Sequence, residues 1–180
     1  DGFWINEKRR VALGHRRLSV LDLSSAGHQP MHSKSGRYVI AFNGEIYNHL
    51  SLRETLDSVS DNEIEWIGHS DTETLLSCFE TWGIDATLEK ISGMFSIALY
   101  DTEHDCLYLI RDRMGEKPLY YGWSGDVFLF SSELKPLKKF HGFSGEIDRN
   151  VLALFLKYDY VPSPYSIYKG ISKLAPGSLL

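Results

Sequence analysis

The sequence predicts an α+β fold, on three observations. Short β-branched and aromatic runs come in pairs joined by polar turns, as antiparallel hairpins do. Other stretches carry apolar residues at helical spacing behind side chains suited to cap a helix. The order is strands, two helices, four strands, then a helix, which lacks the strict strand–helix alternation of a parallel sheet.

Residues 11–13 and 18–23 are apolar runs flanking Gly14-His15-Arg16-Arg17, and both read as strands. Residues 24–31, with Gly27 and Pro30, read as a turn-rich loop. Residues 37–42 form a strand that stops at Asn43-Gly44, a turn-forming dipeptide. Asn48 is suited to cap a helix carrying Leu52 and Leu56 on one face. Ser70-Asp71-Thr72-Glu73 fits a capping box, in which Glu73 reaches back to Ser70. The helix behind it places Leu75, Leu76, Phe79 and Trp82 at helical spacing and meets Gly83 as a stop. A shorter helical stretch follows around Leu88 and Ile91.

Residues 94–100 and 106–112 form a hairpin across the polar turn 101–105. Residues 119–121 and 127–131 form another around Trp123-Ser124-Gly125-Asp126. Ser131 or Ser132 is suited to cap a helix over 133–139, and Asp148 caps a last apolar helix over 151–158. The rest, with Pro162, Pro164, Gly170, Pro176 and Gly177, reads as an ordered connector rather than a core element.

The composition narrows the function. The chain has 180 residues, a length that suits one domain and buries roughly 70% of the unfolded surface. Nineteen basic against 24 acidic residues give a net charge of −5, which argues against electrostatic binding to nucleic acid or to an anionic membrane. The longest apolar run, 151–156, is far short of the ~20 residues that span a bilayer. No secretory signal is visible. Two cysteines are too few for a disulfide scaffold, so a reducing, cytoplasmic setting is expected. There is no His/Cys cluster at metal spacing and no glycine-rich phosphate loop, so neither a metal nor a nucleotide cofactor is expected in this chain. The first residues are Asp1-Gly2-Phe3-Trp4, without Met, so the sequence reads as a piece of something longer.

Four groups of residues can carry chemistry. Asn43-Gly44 is either a plain turn or a pair of donors, an amide side chain and an approachable N–H, for a developing oxyanion. Arg17 is either a surface ion pair or a fork for a substrate carboxylate. Asp71 is either a second capping residue beside Ser70 or a receptor for an ammonium group, and Glu45 is either solvated or another such receptor. Arg111-Asp112-Arg113 with Lys117 reads as a structural ion-pair network. Cys78 and Cys106 read as core thiols rather than nucleophiles.

Taken in order, several blocks form a pattern. They are Gly14-His15-Arg16-Arg17-Leu18-Ser19-Val20-Leu21-Asp22, Gly27-His28-Gln29-Pro30-Met31, Phe42-Asn43-Gly44-Glu45-Ile46-Tyr47-Asn48 and Ser70-Asp71-Thr72-Glu73. Gly93-Met94-Phe95-Ser96-Ile97-Ala98-Leu99-Tyr100-Asp101, the run from Arg111 through Lys117-Pro118 to Tyr121, and Ser131-Ser132-Glu133-Leu134-Lys135 follow. Together these resemble the glutaminase domain of glutamine-hydrolysing asparagine synthetases, which are class II glutamine amidotransferases. The stretch Ile171-Ser172-Lys173-Leu174-Ala175-Pro176-Gly177 is similar to that family's passage into its synthetase domain.

The resemblance implies an N-terminal nucleophile hydrolase fold, an αββα sandwich of two antiparallel sheets between helices, here expected to be incomplete at the N-terminus. It implies a partial glutaminase domain over 1–142, and over 143–180 a connector and first helix leading to an ATP-dependent synthetase domain. By motif position, Arg17 would bind the glutamine α-carboxylate, with the backbone of Val20 and Leu21 completing that pocket. Glu45 and Asp71 would hold the α-ammonium, and the Asn43 side chain and Gly44 N–H would form the oxyanion hole. An N-terminal cysteine, using its own α-amine as base, would attack the glutamine amide. That cysteine is absent from this sequence, so the chain alone is expected to bind glutamine weakly, if at all, and not to hydrolyse it. ATP and Mg would belong to the synthetase domain, which would amidate aspartate or a related carboxylate. A homodimer is left open. Three other readings stand beside this one: a non-catalytic scaffold as in β-lactam synthetases, an amidotransferase acting on a sugar or peptide carboxylate, and a glutaminase of aminosugar or purine synthesis.

Overall fold

Alternation opens the chain. Trp4 turns inward while Phe3 and Ile5 face out, and this period-two pattern forms β1 (Gly2–Asn6). It pairs antiparallel with β2 (Val11–His15), Trp4 opposite Leu13, across a turn in which Arg10 takes a positive φ of 55°. β1 is an element the sequence reading did not assign. The computed structural model describes residues 2–16, 24–59 and 64–180, and the expected strand over 18–23 lies outside them. The chain divides into two units, residues 1–109 and 110–180.

β3 (Met31–His32), β4 (Tyr38–Ile46), β5 (Gly93–Asp101) and β6 (Cys106–Arg111) form one sheet in the order β3-β4-β5-β6, which lies in the first unit except for the last two residues of β6. β4 and β5 pair along their whole length, from Tyr38 opposite Asp101 to Ile46 opposite Gly93. Asn43 and Gly44 therefore do not end the strand, which runs through both and stops only after Ile46. Tyr38, Ile40, Phe42 and Ile46, on one face of β4, are all buried. That face is the helical side: the Tyr38 ring meets Phe79 at 6.2 Å. The other face meets the β1–β2 ribbon, where Trp4 packs on Tyr100 at 5.4 Å. The layers of this unit are thus helices, sheet and ribbon.

The helices are α1 (His49–Val59) and α2 (Asp71–Lys90). Leu52 and Leu56 are buried as their spacing predicts. Asn48 does not cap α1 with its side chain. Its amide instead donates to Lys90 O at 3.0 Å and accepts from Ser92 N at 2.9 Å, tying the start of α1 to the end of α2. Ser70 does cap α2, accepting from Glu73 N at 3.2 Å. Glu73 reaches past Ser70, to the N–H groups of Ile67 and Gly68 and to Arg53. Gly83, at φ 76° and ψ 177°, breaks the helical path, and helix resumes behind it.

The turn after β5 is organised by buried Asp101. Its carboxylate accepts from Glu103 N, His104 N and the Arg37 guanidinium. Burial alone would raise its pKa, but these bonds outweigh that and hold it well below the usual carboxylate range.

The second unit holds β7 (Tyr120–Ser124), β8 (Val127–Ser131), α3 (Leu134–Leu137), α4 (Arg149–Tyr158) and β9 (Ile171–Lys173). The β7–β8 hairpin forms as expected, Trp123 opposite Phe128. β9 pairs with the other edge of β7, so the presumed connector supplies a strand and buries Ile171 and Leu174. A Cβ at Gly122 would fall 1.9 Å from Gly170 O, which is why that pairing needs glycine. α3 is one short turn, and Ser131 bonds only the Glu133 N–H rather than capping it. Asp148 caps α4 through the N–H groups of Asn150 and Val151. In the 111–117 segment, Arg111 donates to the carbonyls of Lys117, Leu174 and Gly115, and the Asp112 carboxylate accepts from three main-chain amides. Much of the expected ion-pair network is therefore side chain to main chain.

Leu56 is fully buried on α1. Leu56→Ala should cost roughly 2–5 kcal/mol of stability, read as a lower denaturant midpoint at unchanged slope.

Candidate functional site

β4 outruns β3, which pairs with it only at Val39 and Ile40. Tyr38 directs both its N–H and its C=O toward β3, bonding Ser33. Main-chain groups of alternate strand residues point to the same side, so Phe42, Gly44 and Ile46 direct theirs over an edge that β3 does not reach.

Side chains take up most of that edge. Gln29, buried in the 24–31 loop, accepts the Phe42 N–H on Oε1 at 2.7 Å. The His15 ring, at the end of β2, donates from Nε2 to Phe42 O at 2.9 Å. Asp71 Oδ2 accepts the Ile46 N–H at 2.9 Å. Gly44 lies between these two fixed points with its N–H toward the same edge. Asn43 and Glu45 flank it, half-buried, with side chains on the opposite face of the strand. The glycine is also required by the sheet: a Cβ there would fall 2.2 Å from Met94 O.

Asp71 is the first residue of α2, and the cap is Ser70, so Asp71 is not a second cap. Its carboxylate is pinned to the strand. Gln29 Nε2 also donates to Thr72 Oγ1, at 3.4 Å, so one amide side chain touches both strand and helix start. Burial raises the Asp71 pKa first. The bonds from the Ile46 and Thr72 N–H groups and the field of His49 oppose that, and the negative charge of Glu45 adds to it. The net shift is upward, as for a carboxylate short of positive charge.

Of the candidate residues, Asn43, Gly44 and Glu45 are consecutive on β4, and Asp71 meets the same strand one residue on, at the Ile46 N–H. Arg17, Val20 and Leu21 lie outside the described residues. Cys78 is buried in α2, with burial pushing its thiol up to about 12. Cys106 is exposed and donates to His104 O, at the Asp101 end of the sheet. Asp101, Glu103 and His104 bring three potential metal-ligand atoms within 4.8 Å, but Arg37 already holds the Asp101 carboxylate at 2.8 Å. Sequence reading gave no role to Gln29, His15 or Thr72. Thr72 neighbours Asp71 in the chain, whereas the nearness of Gln29 and His15 to Phe42 is created only by the fold.

A carboxyl group whose pKa is higher folded than unfolded destabilises the fold once ionised. Asp71→Asn keeps an acceptor for the Ile46 N–H and drops the charge. Its melting temperature at pH 7 should match or exceed the parent's, and the difference should shrink as pH falls through the Asp71 range. A clearly lower value at pH 7 would show that the charge stabilises the fold.

All of residues 1–180 match the family model for a glutamine amidotransferase domain. The chain is 36% identical over 180 residues to the putative asparagine synthetase (glutamine-hydrolyzing) 2 of Methanocaldococcus jannaschii, covering 91% of this chain and 34% of that protein. It is 36% identical over 178 residues to asparagine synthetase (glutamine-hydrolyzing) 1 of Bacillus subtilis, covering 99% of this chain and 27% of that protein. It thus spans about a third or less of these relatives' length. Among solved structures, it resembles the glutamine phosphoribosylpyrophosphate amidotransferase from B. subtilis with a TM-score of 0.57 and 22% identity, covering 71% of this chain and 28% of that one. At that identity the likeness speaks for the fold, the α+β fold of the N-terminal nucleophile amidotransferases. With the family model matched from end to end, the chain belongs to the glutamine amidotransferase domain family.

Proposed function

We propose that this chain is the glutamine-binding part of an amidotransferase of the asparagine synthetase type. It holds glutamine while the side-chain amide is hydrolysed, and the ammonia serves an ATP-dependent amidation of aspartate or a related carboxylate. The observation that supports this most is the edge of β4. Gly44 directs an N–H outward between two residues, Phe42 and Ile46, whose main-chain groups are already fixed by Gln29, His15 and Asp71. Attack on an amide carbon puts negative charge on its oxygen. That N–H, with the side-chain amide of the adjacent Asn43, is the kind of donor pair that stabilises such charge.

The rest of the reading follows from the charges of a free amino acid. Asp71 and Glu45 receive the α-ammonium. A buried carboxylate short of positive charge gains more from such a ligand than a solvated one does. Arg17, with the main chain of Val20 and Leu21, takes the α-carboxylate through two parallel bonds. The nucleophile is a cysteine, and neither Cys78 nor Cys106 suits the role. One is buried with a raised pKa, and the other sits at the far end of the sheet from Gly44. The 180-residue chain by itself is therefore expected to bind glutamine weakly and not to hydrolyse it. ATP and Mg belong to a synthetase domain that residues 143–180 lead toward, and the setting is cytoplasmic. Among the described residues no helix is long and apolar enough to cross a membrane.

A titration of L-glutamine into the protein, followed by NMR, tests the pocket. Arg17→Ala should raise Kd about tenfold or more, the scale of a lost charge-assisted pair. Asn43→Ala should change Kd less than about twofold, because its donor acts on the transition state rather than on bound glutamine. Affinity should fall with pH as Asp71 protonates. Unchanged affinity in Arg17→Ala overturns the carboxylate clamp, and ammonia release from the chain alone overturns its inactivity.

A further inference from the structure

Arg53 lies on α1, away from the edge of β4, yet it is buried. Its position follows from helical spacing: His49, Leu52, Arg53 and Leu56 occupy i, i+3, i+4 and i+7, the inward stripe of α1. A guanidinium there needs partners, and all of them lie on the segment that delivers Asp71. Nη1 donates to Gly68 O at 2.9 Å, Nη2 to Ser70 O at 3.0 Å and Nε to Thr74 Oγ1 at 2.7 Å. Nη2 also pairs with Glu73 at 3.3 Å, and the guanidinium covers the Trp66 ring at 4.1 Å from its centroid. Glu73 in turn accepts the Ile67 and Gly68 N–H groups.

The carbonyl of Ser70 belongs to the peptide that joins Ser70 to Asp71. Arg53 thus fixes the main chain immediately before the carboxylate, and the Ile46 N–H fixes the carboxylate itself. We infer that Arg53 is a positioning residue for Asp71: it sets where the ammonium-binding carboxylate stands relative to β4, without touching the ligand. A planar fork with donors on three sides suits this task, whereas a lysine ammonium would keep the charge and lose the geometry. The inference rests on the glutamine reading for its functional consequence and on the hydrogen bonds alone for its structural one.

The test separates the two. Glutaramate, which is glutamine without its α-amino group, has nothing for Asp71 to hold. Arg53→Gln should weaken glutamine about tenfold and glutaramate less than about twofold, with Arg53→Lys between Arg53→Gln and the parent for glutamine. In an Asp71→Asn background, the Arg53 substitutions should cause no further loss. Equal losses on both ligands, no loss on glutamine, or a full additional loss in that background overturns the inference. If Arg53→Gln does not fold, Arg53→Lys decides by the same ratio. Amide hydrogen exchange provides the readout without ligand: in Arg53→Lys, Ile46 should exchange faster while Ala41, on the β5 side of β4, does not. If the parent fails to bind glutamine, the glutamine reading falls, and the Ile46 exchange still judges the positioning; unchanged exchange there rejects it.

Discussion

A strand longer than its neighbour leaves main-chain groups that something must satisfy. β4 is nine residues long, and β3 pairs with two of them. An unpaired N–H or C=O in a buried setting costs about as much as a lost hydrogen bond, so the surplus edge cannot simply stay empty. The protein answers with side chains from three elements: Gln29 from a loop, His15 from β2 and Asp71 from the start of α2. Each bond also anchors the element that supplies it. The gap at Gly44 is what this arrangement leaves, an N–H held rigid by its neighbours on both sides.

The same arrangement explains the electrostatics. Ser70 takes the cap, which leaves Asp71 free to turn toward the strand. There it is buried beside Glu45, and two main-chain N–H groups and the field of His49 do not fully compensate. A fold selected for stability alone has little use for a buried carboxylate in that condition, because an amide would make the Ile46 bond without the charge. On the reading proposed above, a cationic group beside this carboxylate would supply the positive charge it lacks, and conflicts of this kind cluster at functional positions.

How much of this was legible in the sequence varies with the range of the interaction. The α+β class, the two hairpins, the Ser70 and Asp148 caps and the break at Gly83 are local, and their signals lie within a few residues. Errors arose where a local signal competed with a distant partner. Asn43-Gly44 has the composition of a turn, but β5 pairs with both residues and carries the strand onward. Asn48 has the composition of a cap, but Lys90 and Ser92 take its amide. Glu73 passes Ser70 because Ile67, Gly68 and Arg53 offer more bonds. β9 was missed because three residues between turns carry little periodicity, and its strand character comes from the edge of β7.

Arg53 shows how the local and the distant can be read together. Spacing alone places it in the buried stripe of α1, where an arginine is a contradiction unless several acceptors converge on it. Three residues within reach of one fork, Gly68, Ser70 and Thr74, belong to the entry and first turn of a single helix. Their convergence couples α1, which leaves the end of β4, to α2, whose first carboxylate returns to β4. Strand, helix and helix then form a closed loop of constraints around Gly44, Glu45 and Asp71, and loosening any member moves the carboxylate relative to the N–H. Hydrogen-bond distances tolerate only a few tenths of an ångström, so the glutamine site proposed above would depend on that closure more than on any one contact.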